Sequence, residues 1–111
     1  MAGRHRVSVR EGARVDHESF ASPAEALDFI EERGHELARG ALAKPVDTKV
    51  LGRWEPQQQV AARLQLGRRG GVDIRGDGSA EAYSGWLRRR VIEQQGGESP
   101  YDALRRVLGE E

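Results

Sequence analysis

The sequence predicts an α+β domain: a mostly antiparallel sheet of about five or six strands, with helices packed on one face, in the order β-β-α-β-β-β-β-α-α. Three observations carry this. Apolar residues alternate with polar ones at Val7 and Val9 and again at Val60, Ala62, Leu64 and Leu66. Turn dipeptides, Glu11-Gly12 and Asp77-Gly78, separate strand-like runs. Two hexapeptides, Ser22-Pro23-Ala24-Glu25-Ala26-Leu27 and Ser99-Pro100-Tyr101-Asp102-Ala103-Leu104, share the pattern S-P-x-[acid]-A-L. In each, a serine hydroxyl can accept a hydrogen bond from a free helical N–H. Proline suits the first turn, and an acid faces the positive end of the dipole. Each hexapeptide therefore opens a helix.

The first strand runs from Arg4 to Arg10, with His5, Val7 and Val9 on one face and Arg6, Ser8 and Arg10 on the other. Arg14 to Phe20 returns beside it as a hairpin. A long helix follows from residue 23 to about 39, where Ala26, Leu27, Ile30, Leu37 and Leu42 recur at helical spacing. Gly34 weakens its middle and Gly40 is its natural stop. Lys44-Pro45 opens an extended stretch over Val46–Leu51, and the connection after it carries Trp54. Val60 to Leu66 is the clearest strand, and Val72 and Ile74 begin the next. Asp77-Gly78 predicts a two-residue turn with positive φ at both central positions, and Ala80 to Ser84 pairs back. Residues 85–95 fit neither period cleanly. A helix capped by Ser84 stacks Leu87 on Val91 and is the preferred reading, with a strand as the alternative. The last helix spans Pro100 to about Leu108, with Ala103, Leu104, Val107 and Leu108 facing inward.

At 111 residues the chain is expected to form one domain, 1–111. The paired motifs also divide it into two related hairpin–helix units, 4–41 and 57–109. Hydrophobic content of 37% and a mean hydropathy of −0.71 imply a thin core under a charged surface. No run approaches the ~20 apolar residues of a membrane span. The start, Met1-Ala2-Gly3-Arg4-His5-Arg6, leads straight into a strand pattern with no apolar secretory region, so a cytoplasmic, bacterial-type protein is expected. The absence of cysteine excludes disulfides, thiolate metal sites and thiol catalysis.

Charge is balanced overall but unevenly placed. Residues 22–45 and 96–111 each sum to −2, leaving +4 for the strand-rich remainder. Of the 18 basic residues 16 are arginine, whose planar fork suits phosphate. GC-rich coding yields the same bias, so no arginine is assigned by its presence alone.

Several motifs lack a required member. His35-Glu36-Leu37-Ala38-Arg39 has arginine where a zinc site needs its second histidine. Asp73, Asp77 and Gly78 fit part of a calcium loop, but Arg75 and Ser84 stand at ligand positions. Gly76-Asp77-Gly78 lacks the third dinucleotide glycine, and Arg75-Gly76-Asp77 reads as turn chemistry. In Asp16-His17-Glu18-Ser19 the strand period puts the acids on the face opposite His17 and Ser19, so adjacency makes no triad. No catalytic residue, metal or cofactor is predicted. A small enzyme built around His5 or His17 is the third-ranked reading.

Residues 4–37 resemble the arm-type DNA-binding domain of tyrosine recombinases. The shared parts are the basic strand Arg4-His5-Arg6-Val7-Ser8-Val9-Arg10, a turn, a strand ending in Phe20, and the Ser22–Leu27 helix start. That family presents a three-stranded sheet to the major groove with the helix behind it, whereas only two strands precede this helix. The resemblance implies contacts from Arg6, Ser8, Arg10 and Arg14. Arg88-Arg89-Arg90, beside Tyr83 and Trp86, independently joins phosphate-binding charge to stacking surface. The expectation is a non-enzymatic module whose basic sheet face binds an anionic partner, nucleic acid first. Its candidate contacts are Arg6, Arg10, Arg14, Arg63, Arg75, Arg88, Arg89 and Arg90. The alternative is a protein-interaction or self-associating module anchored by Trp54 or Trp86, also without a membrane partner.

Overall fold

In a computed structural model of the chain, which describes residues 5–43 and 60–109, the first hairpin pairs β1 (His5–Glu11) with β2 (Arg14–Phe20). The helix α1 (Pro23–Ala43) then crosses behind the sheet, and β3 (Val60–Leu66) returns antiparallel to the far side of β1. Three more strands extend the sheet: β4 (Gly70–Arg75), β5 (Ala80–Ser84) and β6 (Arg90–Val91). Helix α2 (Pro100–Leu108) closes the fold. The strand order is β2-β1-β3-β4-β5-β6, with every neighbouring pair antiparallel. The expected α+β architecture, a six-stranded sheet with a helix after the first hairpin and another at the C-terminus, is what forms. The extended stretch expected at Val46–Leu51 and the Trp54 connection lie outside the described residues.

Both helices pack on one face. Val7 and Val9 from β1, Ala62, Leu64 and Leu66 from β3, Val72 and Ile74 from β4 and Ala82 from β5 meet Ala26, Leu27, Ile30 and Leu37 of α1 and Ala103, Leu104 and Leu108 of α2. The largest of these, Ile30, Leu64, Leu66, Ile74, Leu104, Val7 and Val72, are almost wholly enclosed, and that burial supplies most of the driving force. No charged residue is buried among the described residues.

The two helix starts use the same device. Ser22 Oγ accepts from the Glu25 N–H at 3.2 Å, and the Glu25 carboxylate accepts from Ala21 N–H. Ser99 Oγ accepts from Asp102 N–H at 3.0 Å while Asp102 accepts from Ser99 N–H, a full capping box.

Several local expectations change, among them that of Val60, which a register shift before Ala62 leaves exposed. First, α1 continues through Gly40 to Ala43. Second, Gly34 is a packing position: a Cβ there would lie 2.2 Å from the Tyr101 hydroxyl, so its bareness lets α2 seat its tyrosine against α1. Third, the β4–β5 connection is a three-residue loop rather than a two-residue turn. Gly78 N–H bonds Arg75 C=O, Arg75 N–H bonds Ser79 C=O, and only Gly78 takes positive φ (85°). Asp77 keeps negative φ because its carboxylate is engaged by the Ser79 N–H and hydroxyl at 2.9 and 2.6 Å. Those same bonds hold the Asp77 carboxyl below its usual range.

Fourth, residues 85–95 are not helical. Gly85 turns at φ 89°, Arg90–Val91 pairs with Ser84 and Tyr83, and Ile92 N–H bonds Ala82 C=O. A helix here would have stacked Leu87 on Val91 with no core left to receive them. Leu87 is instead 81% exposed, and the β5 edge captures the backbone. In α2, Val107, expected to face inward, lies on the wet side, while Tyr101 is buried.

Candidate functional site

Among the described residues no helix covers the second face of the sheet, and strand register arranges its side chains in rows. One row runs Val15, Arg10, Arg63, Asp73, Glu81 across β2, β1, β3, β4 and β5. The next runs His17, Ser8, Gln65, Gly71, Tyr83 and reaches Val91. Ser19 and Arg6 begin a third. The period-2 reading of β1, with Arg6, Ser8 and Arg10 opposite Val7 and Val9, is what the structure has.

Arg10 and Arg63 are direct cross-strand neighbours, an arrangement that like charges resist. Asp73 relieves it. The Arg63 Nε and Nη2 donate to its two carboxylate oxygens at 2.7 and 3.3 Å, a forked pair that raises the Arg63 pKa. Arg75 donates to Glu81 at 2.5 Å. Arg63 also lies 5.9 Å from the Tyr83 ring centre, and Arg89 lies 5.4 Å from it. The Tyr83 hydroxyl donates to Gln65 Oε1 at 3.0 Å across β4. Gly71 stands between them in the row, and a Cβ there would sit 2.0 Å from the Leu64 carbonyl oxygen, so the close approach of β4 to β3 at this point requires glycine. Burial, and then the Asp73 charge, pushes the Tyr83 phenol up to about 12.

The loop after β5 leans back over this face. Trp86 and Arg89, together with Arg10, His17, Arg63 and Gln65, enclose a shallow recess of about 340 Å³. Trp86 is 44% exposed, with the Arg68 guanidinium 4.8 Å from its ring centre.

The eight arginines singled out by sequence separate into three groups. Arg6, Arg10 and Arg89 stand on the open face or its overhanging loop, with no carboxylate partner among the described residues. Arg63 and Arg75 are on the same face but each is matched to an acid. The others are placed elsewhere. Arg14 shares the phase of Asp16, which it binds at 3.0 Å, and points toward the helix side. Arg90 is aligned with Ser84 on that side too, and Arg88 is exposed in the loop. The arginines of α2 are engaged with acids: Arg105 bridges Asp28 and Glu31 of α1 at 2.8 and 2.6 Å, and Arg106 binds Glu98 at 2.8 Å.

The division of charge is therefore partial. Positive residues do gather on the pleated face, five guanidiniums against the carboxylates of Asp73 and Glu81, but two of the five are neutralised there. Sequence reading missed those two acids and Gln65. Their alternation with Val72, Ile74, Ala82 and Leu64 was the available signal. His17 lines the recess, whereas Asp16 and Glu18 project from the opposite face, so no acid from β2 reaches it. His35, from the incomplete zinc motif, packs on Tyr101 at 5.0 Å and faces Glu31 at 3.5 Å. No family model, curated protein or solved structure matches this chain.

Proposed function

We propose that the open sheet face binds the phosphate backbone of nucleic acid. One observation carries the reading: Arg6, Arg10 and Arg89 present guanidinium groups on one face without carboxylates among the described residues to satisfy them. A surface that leaves several forks unmatched on one side holds donors for anionic oxygen. The matched pairs contribute differently. Arg63 and Arg75 are held by Asp73 and Glu81, and the contacts made by the unmatched arginines are backbone-positioning.

Fluorescence polarisation with a labelled oligonucleotide at ~50 and ~200 mM salt tests it, because phosphate contacts are lost steeply with salt. The combined Arg6→Ala, Arg10→Ala and Arg89→Ala variant should bind more weakly and flatten the salt slope by about 2–3. Absence of binding at the lower salt, or an unchanged slope in the variant, defeats the proposal.

A second reading rests on β2, whose residues Arg14 to Ser19 are all exposed at the edge of the sheet. An open edge can pair with a second copy. The charges of Arg14, Asp16 and Glu18 are of the kind that discourage such pairing, so this reading ranks below the first. Concentration-dependent mass by sedimentation, without nucleic-acid affinity, would reverse the ranking.

A further inference from the structure

Resting on the nucleic-acid reading, we infer that the strand bound is single, with an unpaired base seated in the recess against Trp86. Shape is the first argument. Reading a duplex from its major groove needs a protruding element that enters a channel about 12 Å wide. Here the polar groups line a concavity, and the loop carrying Trp86 and Arg89 overhangs the flat part of the sheet. A concave site is filled only by a base that has left its stack.

The chemistry of the recess agrees. Trp86 has Arg68 near its ring and is still half exposed, so it offers area on which a base can lie. Gln65 is held in one orientation: its Oε1 accepts from Tyr83 and its Nε2 donates to the Gly67 carbonyl at 2.9 Å. Each end of that amide keeps one further hydrogen-bonding position. Ser8 and His17 stand beside it in the same row, which gives the recess fixed and adaptable polar groups for the edge of a base. Arg10 and Arg89 line the same recess, where phosphates flanking a seated base would lie. Arg6 is four residues from Arg10 on the same face of β1, about 13 Å along the strand, and continues the positive track.

The test compares a labelled oligonucleotide of about a dozen nucleotides, a length one such site accommodates, as single-stranded DNA, single-stranded RNA and the matching duplex. A Trp54→Phe background leaves Trp86 as the sole indole reporter. The single strand should bind about tenfold or more tightly than the duplex and quench Trp86 emission. Trp86→Ala should remove most of that preference without altering duplex affinity. Trp86→Phe, which keeps a stacking face, should restore much of it. Circular dichroism establishes that each variant is folded. Duplex binding as tight as single-strand binding, or a preference indifferent to Trp86→Ala, overturns this inference while leaving the phosphate-binding face in place. Binding of none of the three probes overturns the nucleic-acid reading and this inference with it.

Discussion

On the covered face of the sheet, Val7, Leu64, Val72 and Ile74 are sealed under α1 and α2. One residue further along the same strands, Arg6, Arg63, Asp73 and Arg75 meet water or each other. The backbone is shared; only the side-chain phase differs. Energies on the first face come from removing apolar area from water and filling volume. On the second they come from pairing charges that remain partly hydrated, which contributes little net stability per pair. The covered face therefore determines whether the protein folds. The open face is free to keep arginines unmatched, and an unmatched arginine is available to a ligand.

The largest expected effect lies on the covered face. Leu64→Ala should destabilise by about 2–5 kcal/mol in denaturant titration, since the side chain is fully enclosed and its neighbours are anchored to different elements. A loss below about 1 kcal/mol would mean that this core collapses around cavities far more easily than its contacts imply.

Next comes the forked pair on the open face. Asp73→Asn leaves Arg63 without its carboxylate and should cost about 1.5 kcal/mol. Under the proposed function it should also tighten oligonucleotide binding, because a fourth guanidinium becomes unmatched. Weaker binding in a folded Asp73→Asn protein would place Asp73 among the groups that contact the ligand.

Tyrosine titration compares the faces directly, because Tyr83 belongs to the open one and Tyr101 to the covered one. Burial raises both phenols from 10.0 to about 12, aided by the Asp73 charge at Tyr83 and by Glu31 at Tyr101. In the unfolded chain each loses its proton near pH 10, while the folded protein retains it. Their stabilising contribution is therefore complete below pH 10 and is lost as pH climbs toward 12. Ultraviolet difference titration should show neither phenol ionising near 10 in the folded protein. Asp73→Asn should lower the Tyr83 transition and leave that of Tyr101 unchanged.

The smallest effect on stability belongs to the residues most important for the proposed activity. Arg6→Ala and Arg10→Ala should each change unfolding free energy by less than about 0.5 kcal/mol, since neither side chain holds a carboxylate among the described residues. A larger loss would show that these arginines serve the fold.

Much of this was legible in the residues. Period-2 alternation assigned both faces of β1 and those of β3 from Ala62 to Leu66, whereas a register shift between Val60 and Ala62 leaves Val60, expected on the apolar face, exposed; S-P-x-[acid]-A-L located two helix starts down to their caps. Local signals sufficed there because the partners are near in sequence. Residues 85–95 failed for the opposite reason: an exposed Leu87 and a pairing with β5 are outcomes of what remains uncovered once α2 has occupied the core. Gly34, which reads as a weak point in α1, is where Tyr101 of α2 is seated, a demand made from 67 positions away.

By itself, then, the chain's order of residues determined the element types outside 85–95, the apolar side of β1 and of most of β3, and that arginine would prevail on the other side. Both periodicities are properties of a single segment and need no partner. Which arginines stay unmatched was decided only when β3, β4 and β5 came into register, setting Asp73 against Arg63 and Glu81 beside Arg75. The overhang of Trp86 and Arg89 depended likewise on β6 joining the sheet edge. Charge pairing falls off over a few ångströms, so it is set by which strands lie side by side and not by distance along the chain.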